Sequence, residues 1–75
     1  MPKRKDPVLN ALGRRIRQLR DAHGWTQENL AERAHVDRSY IAGIEAGLRN
    51  PSFKALAKLA RGLRVSLSSL FETLG

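Results

Sequence analysis

A chain of 75 residues without cysteine is long enough for one small domain, and it can form neither a disulfide nor a cysteine-based zinc site. Its 14 lysines and arginines outnumber 7 acidic residues, which gives a net charge of +7 and an isoelectric point near 11.2. Ten of the basic residues are arginines, whose planar fork suits phosphate and base contacts. This balance favours nucleic acid as the partner, although charge alone leaves a membrane surface open.

The chain begins with the basic, proline-containing stretch MPKRKDP. It lacks the apolar run of a signal peptide, and no stretch approaches the roughly 18 apolar residues of a membrane span. We therefore expect residues 1–7 to form a flexible basic arm and residues 8–75 to form the domain. We also expect a soluble, cytoplasmic protein that does not bind membranes.

Apolar residues recur at helical spacing in five successive segments after Pro7. The stripes are Leu9, Leu12, Ile16 and Leu19; Leu30, Ala31 and Ala34; Ile41 and Ile44; Phe53, Leu56, Leu59, Ala60 and Leu63; and Leu67, Leu70, Phe71 and Leu74. No segment alternates with period two over a useful length, so the sequence predicts an all-α fold of five helices. The first helix is basic but has no aromatic residue, which makes a membrane-surface helix a minor alternative.

Polar residues suited to capping precede the second, third, fourth and fifth predicted helices, and those before the third predict a corner in the chain. The hydroxyls of Thr26, Ser52 and Ser66 are suited to cap the second, fourth and fifth helices. Asp37 is suited to cap the third, and His35 just before it can adopt the left-handed turn conformation. The stretch TQENLAERAHVDRSYIAGIEAG is therefore predicted to be helix, short turn and helix.

The third predicted helix, over residues 37–46, has a side suited to close contact with another surface. Ile41 and Ile44 should hold its other side to the core. The exposed side combines an arginine, a hydroxyl and two small residues, namely Arg38, Ser39, Ala42 and Gly43. The major groove of B-DNA, about 12 Å wide, admits such a helix.

These residues resemble the helix-turn-helix of phage repressor and Cro-like (XRE-type) DNA-binding domains. The match includes Gln27 at the start of the first helix, Ala31 four residues later, and IEAG at the end of the second. It extends from about Leu9 to Phe71 and implies a compact five-helix bundle of the lambda-repressor-like type. The stretches RSYIAGIEAGLRNPS and SLSSLF are similar to the controller proteins of restriction–modification systems. The family usually has glycine at positions 35 and 64, where this chain has histidine and arginine.

The resemblance implies roles for individual residues in binding double-stranded DNA. The implied base-reading residues are Arg38, Ser39 and Ala42, and the implied backbone contacts are Thr26, Gln27, Tyr40, Arg49, Asn50 and Ser52. Purely structural alternatives stay open: Gln27 and Arg38 as solvated residues, Tyr40 half-buried against the core, and Asn50 as a turn former. Arg20 and Glu45 resemble a structural pair that links the first helix to the recognition helix.

We expect a homodimeric, sequence-specific transcriptional regulator of a palindromic operator, with Leu67, Leu70 and Phe71 in the dimer interface. The alternatives are an antitoxin-type autorepressor with a toxin partner, and an RNA-binding or protein-binding helical module. Neither a Ser–His–Asp constellation nor a phosphate-binding glycine loop nor paired carboxylates occur, so we expect no enzyme activity. His35 with Glu32 gives only two candidate ligands, so we expect no metal site. We expect no cofactor and, because there is no room for a ligand-sensing domain, no small-molecule ligand.

Overall fold

The computed structural model describes residues 6–72, and this part of the chain is entirely helical. Its elements are α1 (Pro7–Ala22), α2 (Gln27–Ala34), α3 (Arg38–Glu45), α4 (Phe53–Leu63) and α5 (Leu67–Leu70). The predicted order of five helices is confirmed, and no strand occurs within residues 6–72. None of these helices combines the length and the apolar character that a membrane crossing requires.

The first helix begins earlier than the sequence indicated. Asp6 is its N-cap, and one carboxylate oxygen accepts hydrogen bonds from the backbone N–H groups of Val8 at 2.8 Å and Leu9 at 3.3 Å. Pro7 occupies the start of the helix, where its missing N–H has no intrahelical partner to lose. Pro7, which was predicted to lie in the arm, is therefore the first residue of α1, and Asp6 caps that helix. The rest of the predicted arm lies outside the described residues.

A thin apolar core holds the helices together. Helix α2 packs against α3 and α4, whereas α1 packs against α3 and α5. The core consists of Leu12, Ile16, Leu30, Ala31, Ala34, Ile41, Ile44, Leu56, Leu59, Ala60, Leu63 and Leu70. A β-carbon at Gly13 would lie 2.7 Å from the backbone oxygen of Glu45, so α1 can cross the end of α3 this closely only because residue 13 is glycine.

Three of the four predicted N-caps are confirmed by side-chain hydrogen bonds. Thr26 and Asn29 form a reciprocal capping box, in which each side-chain oxygen accepts from the other residue's N–H at 3.0 Å. The hydroxyls of Ser52 and Ser66 accept from the backbone N–H three residues later, at 3.1 and 3.2 Å. Asp37 occupies the N-cap position of α3, but its carboxylate makes no capping hydrogen bond, so that part of the prediction is wrong.

Two helices end in residues with left-handed backbone conformation. His35 ends α2 with φ 58° and ψ 46°, and Arg64 ends α4 with φ 59° and ψ 41°. The predicted conformation of His35 is therefore confirmed. It turns the chain sharply enough that the N–H of Val36 donates to the carbonyl of Ala31 at 3.0 Å. This turn sets α3 at an angle to α2 and creates the predicted corner.

Two apolar residues of α4 and α5 are not exposed or buried as predicted. Phe53 is 75% exposed, because it is the first residue of α4 and lies a turn beyond the part of the helix that packs on the core. Leu70 is fully buried inside the monomer. Leu70 therefore cannot contact a second copy of the chain directly, and its predicted place in a dimer interface is wrong. Leu67 is partly buried and Phe71 is 37% exposed, so part of each side chain is accessible. Leu74 lies outside the described residues.

Candidate nucleic-acid interface

The corner presents α3 with one side fixed and the other side accessible. Ile41 and Ile44 are almost completely buried and attach the helix to the core. Arg38 and Ser39 are exposed in the first turn, and Ala42 is partly exposed one turn later. Residues three and four positions apart are neighbours on a helix surface. The three predicted base-reading residues therefore lie together on the exposed side of α3.

An ion pair holds the far end of α3 to α1. The guanidinium of Arg20 donates from Nε to Oε2 of Glu45 at 2.7 Å and from Nη2 to Oε1 at 2.9 Å. A third bond, from Nη1 to the carbonyl of Trp25 at 2.6 Å, reaches the turn between α1 and α2. Hydrogen bonding to Glu45 raises the pKa of Arg20 above its ordinary value, although burial acts in the opposite direction. The predicted structural pair is confirmed.

Gln27 joins the same ion pair, which the sequence did not indicate. Its side-chain Nε2 donates to Oε1 of Glu45 at 3.1 Å, so side chains from α1 and α2 share one carboxylate on α3. The amide keeps a second N–H and its carbonyl oxygen, and contact with a DNA phosphate stays a prediction. Thr26 is exposed beside it and uses its hydroxyl oxygen as the cap acceptor, which leaves the hydroxyl proton able to donate outward.

Arg49 covers part of α3 that was expected to be open. Its guanidinium carbon lies 5.5 Å from the centroid of the Tyr40 ring, within the range of a cation–π contact. Its stem lies over Gly43, so the expectation that Gly43 faces outward uncovered is wrong. Tyr40 is partly buried and packs against the core, which corresponds to the structural alternative for this residue. Its predicted phosphate contact stays a prediction.

The segment from α3 to α4 carries the last two predicted contacts. Asn50 and Ser52 are both exposed on either side of the buried Pro51. The Ser52 hydroxyl oxygen caps α4 and keeps its own proton for an external acceptor. Gly47, at φ 75°, makes the turn that starts this segment immediately after α3. The chain thereby places both residues at the border of the exposed side of α3, and their DNA contacts stay predictions.

The arginines of α1 divide into internal and outward-facing groups. Arg15 donates to the carbonyl of Ser69 at 2.8 Å and pairs with Glu72 at 2.9 Å, which ties α5 to α1. Arg14 and Arg17 are exposed and contribute positive charge to the surface. Within residues 6–72, no group of three or more histidine or acidic side chains is arranged to hold a metal ion.

Helices α2 and α3, with the left-handed turn between them and a supporting core beneath, define a helix-turn-helix domain. The chain belongs to the helix-turn-helix family, whose model matches residues 16–70. The predicted family resemblance is therefore confirmed. Among its relatives, the HTH-type transcriptional regulator SinR of Bacillus subtilis is 40% identical over 62 residues, or 81% of this chain. The chain spans about half of the length of SinR, at 56%.

Solved structures of controller proteins have the same fold. The restriction-modification controller protein C.AhdI from Aeromonas hydrophila is 44% identical, with a TM-score of 0.83 over 84% of this chain and 96% of that protein. The restriction-modification controller protein C.Esp1396I, crystallised as a tetramer in complex with its natural 35-base-pair operator, is 38% identical. Its TM-score is 0.85 over 93% of this chain and 92% of that protein. The narrower similarity to controller proteins is thus confirmed as well.

Proposed function

We propose that this chain is a sequence-specific, DNA-binding transcriptional regulator that inserts α3 into the major groove. The observation that carries the proposal is the exposed first turn of α3, which includes Arg38 and Ser39. The opposite side of the same helix is buried in the core. A guanidinium there can fork onto O6 and N7 of a guanine, which is the commonest specific contact in the major groove. Ser39 adds a hydroxyl, and Ala42 offers a methyl to a thymine methyl.

Phosphate contacts around this helix would fix its orientation on the duplex. Thr26 and Gln27 lie at the start of α2, where backbone N–H groups and the helix dipole favour an anion. Arg49, Asn50 and Ser52 border α3 on the C-terminal side. The net charge of +7 provides a further, sequence-independent attraction to DNA. These contacts position the protein, whereas the α3 side chains select the sequence.

We further propose that the protein acts as a homodimer on a palindromic operator. A two-fold dimer places two recognition helices about 34 Å apart, which is one turn of B-DNA. C.Esp1396I bound to its operator as a tetramer supports assembly of more than one copy on DNA. Leu67 and Phe71 remain candidates for the interface, with Leu70 supporting them from inside the monomer. The exposed Phe53 is a further apolar candidate.

As a regulator, the protein would act in the cytoplasm without enzymatic activity.

Selection of bound sites from random duplexes tests the proposal directly. A sequence-specific dimer should enrich one palindromic motif, and the enriched duplex should bind far more tightly than scrambled DNA at the same salt concentration. Single-stranded RNA titrated under the same conditions should bind no better than scrambled duplex. Enrichment of no motif, or tighter binding to the RNA, would contradict the proposed function.

A further inference from the structure

The side chain of Arg49, a residue outside α3, packs against one side of that helix. Gly43 and Tyr40 are three residues apart and so are neighbours on this side. A β-carbon at Gly43 would lie 2.6 Å from Cγ of Arg49, 3.4 Å from its Nε and 3.5 Å from its Cδ. The stem of Arg49 therefore lies in the shallow depression left by the missing side chain. Beyond it, the guanidinium stands over the Tyr40 ring at 5.5 Å.

The direction of this side chain brings its charge to the functional end of the helix. Arg49 follows α3 in the chain, yet its side chain runs back past Gly43 to Tyr40, toward the N-terminal half of the helix. In helix-turn-helix proteins that half enters the major groove. Tyr40 and Arg38 lie about 200° apart around the helix axis, given 100° per residue. Arg49 and Arg38 thus flank opposite edges of the exposed side of α3.

We infer that Gly43 is a positioning residue for DNA binding, because its missing side chain seats Arg49 against Tyr40 and so directs the guanidinium to a phosphate beside the groove. The inference rests on the proposed function. The guanidinium lies at the flank of α3 rather than at the centre of its exposed side, and the flank of a helix in the groove faces the strand backbone. A side chain already held in place loses less rotamer freedom on binding than a free arginine does.

The inference predicts that Gly43 acts through Arg49. Alanine at position 43 would displace the flexible stem of Arg49 while improving the helix propensity of α3, so the fold should survive. Affinity for a duplex selected from random DNA is measured for Gly43→Ala, Arg49→Ala and the double variant over a range of salt concentrations. Each single variant should reduce the slope of log Kd against log salt by about 2 for the proposed dimer, which corresponds to one phosphate contact in each subunit. The double variant should match Arg49→Ala alone.

Two comparisons separate this mechanism from other causes. Arg61→Ala removes the same charge from an exposed position on α4, outside the proposed interface, and should change the slope much less than Arg49→Ala does. In the free wild-type protein, the NMR signals of the Arg49 side chain should show a ring-current shift from Tyr40 that Gly43→Ala abolishes.

Three results would overturn the inference. The first is that Gly43→Ala binds the selected duplex with the same affinity and the same salt slope as the wild type. The second is an additional loss when Gly43→Ala is added to Arg49→Ala, since a methyl group would then be meeting the DNA itself. The third is the absence of the ring-current shift. A wild-type protein that selects no duplex would instead refute the proposed function, and the inference with it.

Discussion

The carboxylate of Glu45 at the end of α3 accepts two hydrogen bonds from the guanidinium of Arg20 in α1, at 2.7 and 2.9 Å. Both side chains are largely withdrawn from solvent, with 10% and 5% of their surfaces exposed. Because Gln27 donates to the same carboxylate, the pair connects the three helices that form and support the candidate interface. Its primary effect is therefore on the placement of α3 and only indirectly on base recognition.

Glu45→Gln should lower stability without changing the preferred DNA sequence. The substitution leaves the Arg20 charge with only the exposed carboxylate of Asp21, 3.5 Å away, as a counter-ion. We therefore expect a loss of about 1–3 kcal/mol in the free energy of unfolding, measured by urea denaturation. The raised pKa of Arg20 implies stability that is present below its unfolded-state pKa and lost only as pH rises through the folded-state value. The contribution of Arg20 should therefore be constant near neutral pH. A changed base preference with unaltered unfolding would instead place Glu45 at the DNA.

The apolar surface of α5 predicts a dimer that can be weakened without unfolding the monomer. Sedimentation of the wild type should show a dimer at micromolar concentration. Phe71→Ser removes a partly exposed aromatic and should raise the dimer dissociation constant by about tenfold or more, while costing the monomer less stability than a substitution in the core. Leu70→Ala should instead destabilise the fold by about 2–5 kcal/mol, because Leu70 lies in the core.

Val8→Ser is the matched control for loss of exposed apolar surface, since Val8 is 61% exposed near the start of α1. It should leave the sedimentation profile unchanged. Phe53→Ser tests whether the interface extends to the start of α4. A monomer at every concentration, with and without DNA, would rule out the proposed dimer.

The two left-handed helix ends predict that glycine is a stabilising replacement. A side chain with φ near +58° carries strain that glycine avoids, and the greater freedom of glycine in the unfolded chain offsets part of the gain. His35→Gly and Arg64→Gly should each raise the free energy of unfolding by up to about 1 kcal/mol, seen as a higher urea midpoint. Ala46→Gly, at a helix end with φ −81°, should have the opposite sign. Equal destabilisation by all three would show that strain at residues 35 and 64 is negligible.

The features that the sequence predicted well depend on neighbours along the chain. Apolar spacing located all five helices, and the hydroxyls of Thr26, Ser52 and Ser66 located three helix starts, because each cap bonds to an N–H three residues away. The left-handed turn at His35 is equally local. The spacing of Ile41 and Ile44 identified the exposed side of α3, and the family resemblance then implied which of its residues read DNA.

The features that the sequence missed depend on contacts between distant segments. His23 stacks on Trp25 at 4.0 Å and bonds to the carbonyl of Leu63, forty residues away, which no local pattern indicates. The bond from Gln27 to Glu45 and the exposure of Phe53 likewise depend on how the helices pack. For Gly43, its position on the helix suggested open surface, whereas the path of the following segment brings Arg49 across it.

The proposed reading of DNA by α3 makes its sharpest prediction at Arg38. If the exposed guanidinium forks onto a guanine, Arg38→Ala should cost about 1–3 kcal/mol of binding free energy for each half-site of the selected duplex. It should also relax the preference at one base pair in each half-site. Binding to scrambled duplex, which is carried by phosphate contacts, should weaken much less. Fluorescence-anisotropy titrations of both duplexes at one salt concentration, combined with repeated site selection, measure these effects.

Arg17→Ala is the matched control, because it removes the same charge from an exposed residue on α1. Arg17 lies 3.8 Å from Asp21 in a loose, solvent-exposed ion pair, so its removal should scarcely affect stability. Its loss should weaken binding to all duplexes about equally, since a charge outside the groove attracts DNA without reading it. Arg38→Ala must therefore differ from Arg17→Ala in the pattern of the loss and not merely in its size. The same uniform loss in both variants would mean that Arg38 contributes only charge, and that α3 is wrongly assigned as the reading helix.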